Sequence, residues 1–452
     1  MSSAPAVGGL FFPQSQSLGI DRSGYSPTLQ AKITFAGANQ KSYPQAEQAL
    51  RELAELDVSD KQTRRICKSI GAERVCERDA EVAVYQALPL VERKAAPAGV
   101  TAPALAVVGA DGGRLQIFER SAVAATMTPE VILDDDPLAE NTEPVEGERQ
   151  TKKLLRWRED KIALLMTMTG ESHAVDPCPE IPASFVNPHW IERLVKELSH
   201  HGAAAEATAP AAKPPPESVH EPTKPPEWEP PEVATRHLVA TRRPWEAFGP
   251  MVAARAWSLG FFQASRRAFL GDGAETNWTL WRHYFSSFVP ILDFIHALTY
   301  VFHAAFAGRS NVDGWQTYTR WIGWVWAGAV ERTIAELAQR QAELGMPAAN
   351  AKETSPAKLV ARALGYLQNH KDRMRYADYR RQGLPIVSSY VESAVNQFNH
   401  RVKGTEKLWR EDGAEEILQL RADYLSDGEP MSHFWQRRQA TESGQPRHRR
   451  AA

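Results

Sequence analysis

Ala104-Leu105-Ala106-Val107-Val108 is an unbroken apolar run that opens at Pro103 and ends at Gly109-Ala110-Asp111-Gly112-Gly113. Such a run reads as a central strand, because only a strand covered on its faces tolerates continuous apolar residues. It places a carboxylate, Asp111, where the apolar run stops. Asp-Gly-Gly reads as a turn and Arg114 to Phe118 alternates, so the expectation here is a hairpin with Asp111 at the end of its first strand. Lys161 to Thr169 reads as a third strand.

A second carboxylate follows the same pattern. Ala268-Phe269-Leu270 is a short apolar strand ending at Gly271-Asp272-Gly273-Ala274, and Val289 to Leu292 is a further strand. Helical patterns cover Trp190 to Leu198, Pro244 to Leu259 and nearly everything from Asp293 to Arg373. A third carboxylate, Glu392, lies in Ser388-Ser389-Tyr390-Val391-Glu392-Ser393, on a helix expected to begin after Pro385. Strands, then helix, strand, helix, strand predict an α/β fold with a ribonuclease-H-like mixed sheet and a helical insertion. A helix-turn-helix-like region precedes it.

The N-terminal region has its own pattern. Ala46, Ala49, Leu50, Leu53 and Ala54 repeat at helical spacing, and Leu56-Asp57-Val58 breaks the run. Ser59 reads as the N-cap of a second helix carrying Thr63, Ile66, Cys67 and Ile70, expected to end at Gly71. Lys61, Gln62, Arg64, Arg65 and Lys68 point outward on it. That suits contacts to DNA phosphates and base edges, and it equally suits a helical hairpin with a solvated face.

The chain of 452 residues, 43% hydrophobic, is long enough for two or three domains. Its net charge of −2 conceals a basic stretch: Lys371 to Arg410 hold nine Lys or Arg against four Asp or Glu, and Arg447, Arg449 and Arg450 lie near the end. The acidic residues from Glu130 to Glu148, Asp134-Asp135-Asp136 included, read as a solvated loop. Cys67, Cys76 and Cys178 are too scattered for a disulfide framework or a zinc ribbon and point to a reducing cytoplasm. No signal peptide is expected. Phe288 to Ala307 is the most apolar stretch, but Asp293, His296 and His303 interrupt it, so it reads as a buried strand and helix rather than a membrane span. Trp315, Trp321, Trp324 and Trp326 read as a helical core, with stacking on flipped bases as the other role such rings serve.

The expected organisation is a loose tail (1–25), a helix-turn-helix-like DNA-binding region (26–100) and the first part of the catalytic core (101–200). A Pro/Ala-rich linker or insertion (201–236) separates it from the second part (237–300). A helical insertion (301–375), the final core helices with Glu392 (376–430) and a basic tail (431–452) complete the chain.

Three carboxylates on two strands and a helix suit a pair of Mg²⁺ ions, which prefer hard oxygen ligands and promote phosphodiester chemistry. Asp111 is the best bridging candidate, with Asp272 and Glu392 holding one ion each. An isolated Asp-Gly is more often a turn, and the resemblance goes further. Arg267-Ala268-Phe269-Leu270-Gly271-Asp272-Gly273-Ala274 with Asn277-Trp278, Val289-Pro290-Ile291-Leu292-Asp293-Phe294-Ile295-His296-Ala297-Leu298, Ser388 to Ser393 and Arg401-Val402-Lys403-Gly404-Thr405-Glu406-Lys407-Leu408-Trp409 resemble the DDE transposases of Kra-type bacterial insertion sequences. Those are related to the Lre-type and Mutator-like groups. The similarity extends from about residue 26 to Arg438.

The resemblance implies a catalytic triad of Asp111, Asp272 and Glu392 with two Mg²⁺ ions, Mn²⁺ serving as a substitute. It implies double-stranded DNA as substrate, both transposon ends and target, in a bacterial, nucleoid-associated setting without a membrane. A homodimer or higher multimer on DNA is expected. It matches Asp293-Phe294-Ile295-His296 to an Asp-x-x-His signature, whose two residues share a helix face. They contact DNA, brace the active site, or simply hydrogen-bond to each other. Arg401, Lys403, Lys407 and Arg410 are candidates for transposon-end phosphates, or form a solvated basic face.

Overall fold

The computed structural model describes residues 24–117, 157–202, 229–404 and 407–442. All but the last two residues of the expected loose tail, the acidic loop and the terminal arginines lie outside these, as does most of the Pro-rich stretch. Among the described residues the fold is α/β, around one mixed sheet of six strands. The strands are β1 (Leu105–Ile117), β2 (Trp157–Thr169), β3 (Glu232–Thr241), β4 (Arg266–Gly271), β5 (Val289–Leu292) and the short β6 (Leu408–Trp409). Their order is β3-β2-β1-β4-β5, with β6 paired to the far end of β1. β1, β2 and β3 are antiparallel neighbours, whereas β4 and β5 run parallel to β1.

The expected hairpin inside residues 104–118 does not form. β1 runs straight through Asp111-Gly112-Gly113, and its hairpin partner is β2, with Asp111 opposite Ile162. The two glycines serve close approach instead of a turn. A Cβ on Gly113 would stand 2.8 Å from the Asp160 carboxylate of β2. Asp111 is therefore a mid-strand residue. The third leading strand is β3, which begins at Glu232, inside the stretch expected to be linker.

The N-terminal region forms α1 (Pro27–Asn39), α2 (Tyr43–Ala54) and α3 (Asp60–Ala87). Ser59 caps α3 as expected, its side chain accepting from Gln62 N. Gly71 does not end the helix, which continues for four more turns. Its role is packing: a Cβ there would come within 2.7 Å of Glu416 Cβ on α13 (Glu411–Leu425). Hydrophobic contacts, two buried ion pairs and one half-buried pair fasten α3 to the core. Arg74 Nε bonds Asp423 Oδ2 at 2.9 Å, Arg78 Nη1 bonds Glu415 Oε1 at 2.9 Å, and Arg243 Nη2 bonds Asp79 Oδ2 at 2.8 Å.

The helices between are α4 (Pro188–Gly202), α5 (Trp245–Ser258), α6 (Glu275–Tyr284), α7 (Phe294–Phe306), α8 (Asn311–Trp326), α9 (Val330–Leu344), α10 (Pro356–His370), α11 (Tyr376–Arg381) and α12 (Ser389–Val402). α14 (Pro430–Glu442) follows α13. α5 and α6 cover one sheet face: Lys161 lies over the Trp245 ring, and Trp278 occupies the space a Cβ on Gly271 would take. α12 covers the other, reaching Gly109 through Val391. The tryptophan-rich segment is core: Trp321 and Trp326 are fully buried and bond Glu336 and the Cys178 carbonyl. No helix among the described residues is long and apolar enough to cross a membrane, and Phe288 to Ala307 forms β5 and α7 as expected.

Candidate active site

The parallel register of β1 and β4 sets the site. Gly109 pairs with Leu270, the last pair between these strands, and Asp111 and Asp272 each stand two residues further on. Paired residues face the same way, so both carboxylates project to the face that α12 covers. Beyond this point β4 ends, and the edge of β1 opens beside the two acids. Glu392, in the first turn of α12, meets them there. Asp111, Asp272 and Glu392 line one small cleft with Gly271, His296, Ser388 and Val391. The three acids expected to act together are brought together.

Each is positioned by identifiable bonds. Asp272 Oδ1 accepts from Ala274 N and from Asn277 Nδ2, both at 2.9 Å. The Asp272 carbonyl accepts from the Tyr366 hydroxyl at 2.7 Å. Gly273, at φ +103°, follows; the Tyr366 ring fills the space where its side chain would be. Asp111 Oδ1 accepts from Gly112 N at 2.7 Å.

Asp293 is the hub. It is fully buried, caps the N-terminus of α7 by accepting from Ile295 N and His296 N, and accepts both the N–H and the hydroxyl of Ser388 on its other oxygen. Its own N–H donates to the Gly271 carbonyl, and Phe294 N donates to the Ile386 carbonyl. The residue before Asp272 and the residue that starts the turn into α12 are thus tied to one residue, Gly271 through the Asp293 N–H and Ser388 through the Asp293 carboxylate. Glu392 N then donates to the Ser388 carbonyl at 3.2 Å. His296 Nδ1 stands 3.6 Å from Asp293 Oδ1 and 3.9 Å from Glu392 Oε1, beyond hydrogen-bond length from both. Of the roles open to the Asp-x-x-His motif, the geometry matches bracing.

The electrostatics follow from crowding acids in a cleft. Burial, reinforced by the Asp272 charge, pushes the Asp111 carboxyl up to about 6. Burial, then Asp293, raises Glu392, with Asp111 and Asp272 adding to the effect and His296 opposing it. Burial works against the charge of His296, but Asp293, Asp272 and Glu392 outweigh it and hold the imidazole up at about 9. Burial would also raise Asp293, yet the interaction with His296 and the Ser388 bonds hold it below the usual carboxylate range. The cleft therefore gathers more negative charge than the protein alone compensates. Carboxylates supply the hard oxygens that divalent cations take as ligands. Ligand atoms of Asp293, His296 and Glu392 also lie within 4.8 Å of one another. Both Asp293 oxygens are already committed to four donors, so this trio is a brace rather than a ligand set.

The basic candidates separate into two groups. Lys61, Arg64, Arg65 and Lys68 are exposed and Gln62 is half-buried, all in the first turns of α3, and Lys68 pairs with Asp412. Arg410 is exposed and Lys403 half-buried. Arg401 is not available to DNA. It is 2% exposed, donates to the Gly37 carbonyl, and lies 4.5 Å from the Tyr43 ring centre and 5.0 Å from that of Trp409. Lys407 bonds the His400 and Arg401 carbonyls, closing the end of α12.

Sequence reasoning missed Ser388 and Tyr366. Ser388 carried a readable signal, a serine just before a helix start. Tyr366 carried none, because it reaches Asp272 across 94 residues.

No protein-family model matches the chain, and no curated protein shows significant similarity to it.

Proposed function

We propose that this protein is a DDE-type DNA transposase, cutting transposon ends and joining them to target DNA through phosphodiester hydrolysis and transesterification. The observation that carries this reading is the convergence of Asp111, Asp272 and Glu392, separated by 161 and 120 residues in the chain, on one cleft. The strand order β3-β2-β1-β4-β5, antiparallel then parallel, supports a ribonuclease-H-like core. In that reading Asp111, Asp272 and Glu392 would together hold the metal ions. Bound Mg²⁺ would lower the pKa of an attacking water or 3′-hydroxyl and stabilise the leaving oxygen.

The chain's own residues do the rest. Asn277 and Ala274 N fix one Asp272 oxygen, and Asp293 fixes the helix start that presents Glu392. The edge of β1 beyond Gly109, where pairing with β4 ends, leaves room for a DNA backbone. Exposed Lys61, Arg64, Arg65, Lys68 and Arg410, with Lys403, supply cations for phosphates on two sides. No nucleophilic side chain is needed, since water and a 3′-hydroxyl attack directly.

The test uses duplex DNA carrying the inverted repeats expected to flank the coding sequence, incubated with Mg²⁺ and a target plasmid. A transposase yields joined donor–target products. Cleaved ends without joining identify a nuclease on the same fold, and metal-independent binding with no cleavage identifies a DNA-binding protein.

A further inference from the structure

Tyr366 and Tyr300 form a two-ring stack beside the catalytic cleft, with ring centres 3.8 Å apart and planes within 10°. Tyr366 is anchored from below: its hydroxyl bonds the Asp272 carbonyl, and its ring packs over Gly273 and against His370 at 4.8 Å. Tyr300 is different. It is half-buried, and its hydroxyl makes no hydrogen bond to a described residue. Tyr300 also sits four residues after His296 on α7, about one turn and roughly 6 Å from the cleft wall. Arg362, exposed and one turn before Tyr366 on α10, makes a 3.6 Å surface pair with Glu353. Such an exposed pair exchanges readily for a phosphate.

A flat ring held parallel to a buried, backbone-anchored ring is a rigid surface. Nucleobases stack on such rings without regard to sequence, and a neighbouring cation takes the phosphate. We propose that Tyr300 is a nucleobase platform: the unpaired base next to the phosphodiester in the cleft stacks on the part of its ring that reaches solvent, with Arg362 holding the adjacent phosphate. This rests on the reading of the cleft as a site of DNA cleavage. It assigns Tyr300 a substrate-positioning role, and it requires the strand to be single at that step.

The test reads binding without cleavage, so it fails separately from the assay of the triad. Full-length protein carrying Asp272→Asn is titrated against a fluorescent single-stranded oligonucleotide of mixed sequence, with Tyr300 as Tyr, Phe, Trp, Leu or Ala. The platform predicts that Phe and Trp bind as Tyr does, while Leu and Ala weaken binding roughly 5- to 150-fold, the cost of one lost stack. Arg362→Gln should weaken binding and flatten its salt dependence. Thermal melting of each variant checks the fold. Leu is decisive, since it fills the space against Tyr366 but offers no ring face. Wild-type affinity in Tyr300→Leu, or equal loss in Phe and Ala, overturns the proposal.

Discussion

Asp293 and Ser388, 95 residues apart, share one carboxylate oxygen: Asp293 Oδ2 accepts both the N–H and the hydroxyl of Ser388. The bond fixes the start of α12 against the start of α7, and so sets where Glu392 stands. Asp293→Ala would orphan four donors, two at the α7 N-terminus and two on Ser388. A stability loss of about 2 kcal/mol or more is expected, read by thermal or urea unfolding. Ser388→Ala removes only the hydroxyl donor and should cost less. Both should lower cleavage with little change in DNA affinity.

Gly109 offers a second way to move Glu392. A Cβ there would lie 2.5 Å from Val391 Cγ2, and Val391 precedes Glu392. Gly109→Ala should therefore push α12 away from the sheet, at about 1–3 kcal/mol, and depress cleavage. Trimming the partner with Val391→Ala should recover both in the double variant. Additive losses in the cycle would show that the two sites do not press on each other.

The pH dependence has a definite sign. Asp111 titrates at about 6 in the folded protein, above the ordinary carboxylate value of 3.8. The folded state then binds the proton more tightly than the unfolded state. Its stability accordingly falls as pH rises from about 4 to about 6. A divalent ion that neutralises the cleft removes that penalty. Mg²⁺ should raise the melting temperature at pH 8 and lose the effect near pH 5, read by scanning calorimetry, and Asp111→Asn should shrink the response.

Asp160 makes a separate prediction. It is fully buried on β2 opposite Gly113, neither carboxylate oxygen has a hydrogen-bond partner among the described residues, and burial pushes it up to about 7. The sign is the same, with stability lost as pH rises from about 4 to about 7. Asp160→Asn removes the ionisation. It should raise the melting temperature at pH 8 by more than at pH 5, with the difference measured on the metal-free protein.

Arg401 and Arg64 should part company. Arg401→Ala leaves the Gly37 carbonyl and two aromatic rings without their partner, so it should lower stability. Arg64→Ala, on the exposed face of α3, should leave stability unchanged and reduce the salt slope of DNA binding by about one unit.

The parts legible in the sequence were those carried by local pattern. The apolar runs at Ala104 to Val108, Ala268 to Leu270 and Val289 to Leu292 became β1, β4 and β5, and Ser59 capped α3. Glycine misled twice for one physical reason. Gly71 and Gly112-Gly113 read as a stop and a turn, but each serves close approach to a residue far along the chain, Glu416 or Asp160. Sequence spacing cannot separate the two uses. β3 escaped because its first residues adjoin a proline-rich stretch. The pairing of Arg401 with Gly37, Tyr43 and Trp409 escaped because charge predicts exposure until a tertiary contact overrides it. The three acids were legible as candidates, while the hub that holds them was visible only as an Asp-x-x-His spacing.

The most direct measurement of the central claim is Mg²⁺-dependent cleavage of end-bearing duplex DNA by wild type, Asp111→Asn, Asp272→Asn and Glu392→Gln, with calorimetric Mn²⁺ binding on the same preparations. The account predicts that each substitution lowers cleavage roughly a hundredfold or more and weakens Mn²⁺ binding, while the melting temperature is kept or raised. Wild-type cleavage in any one of the three, or Mn²⁺ binding indifferent to all of them, would contradict it.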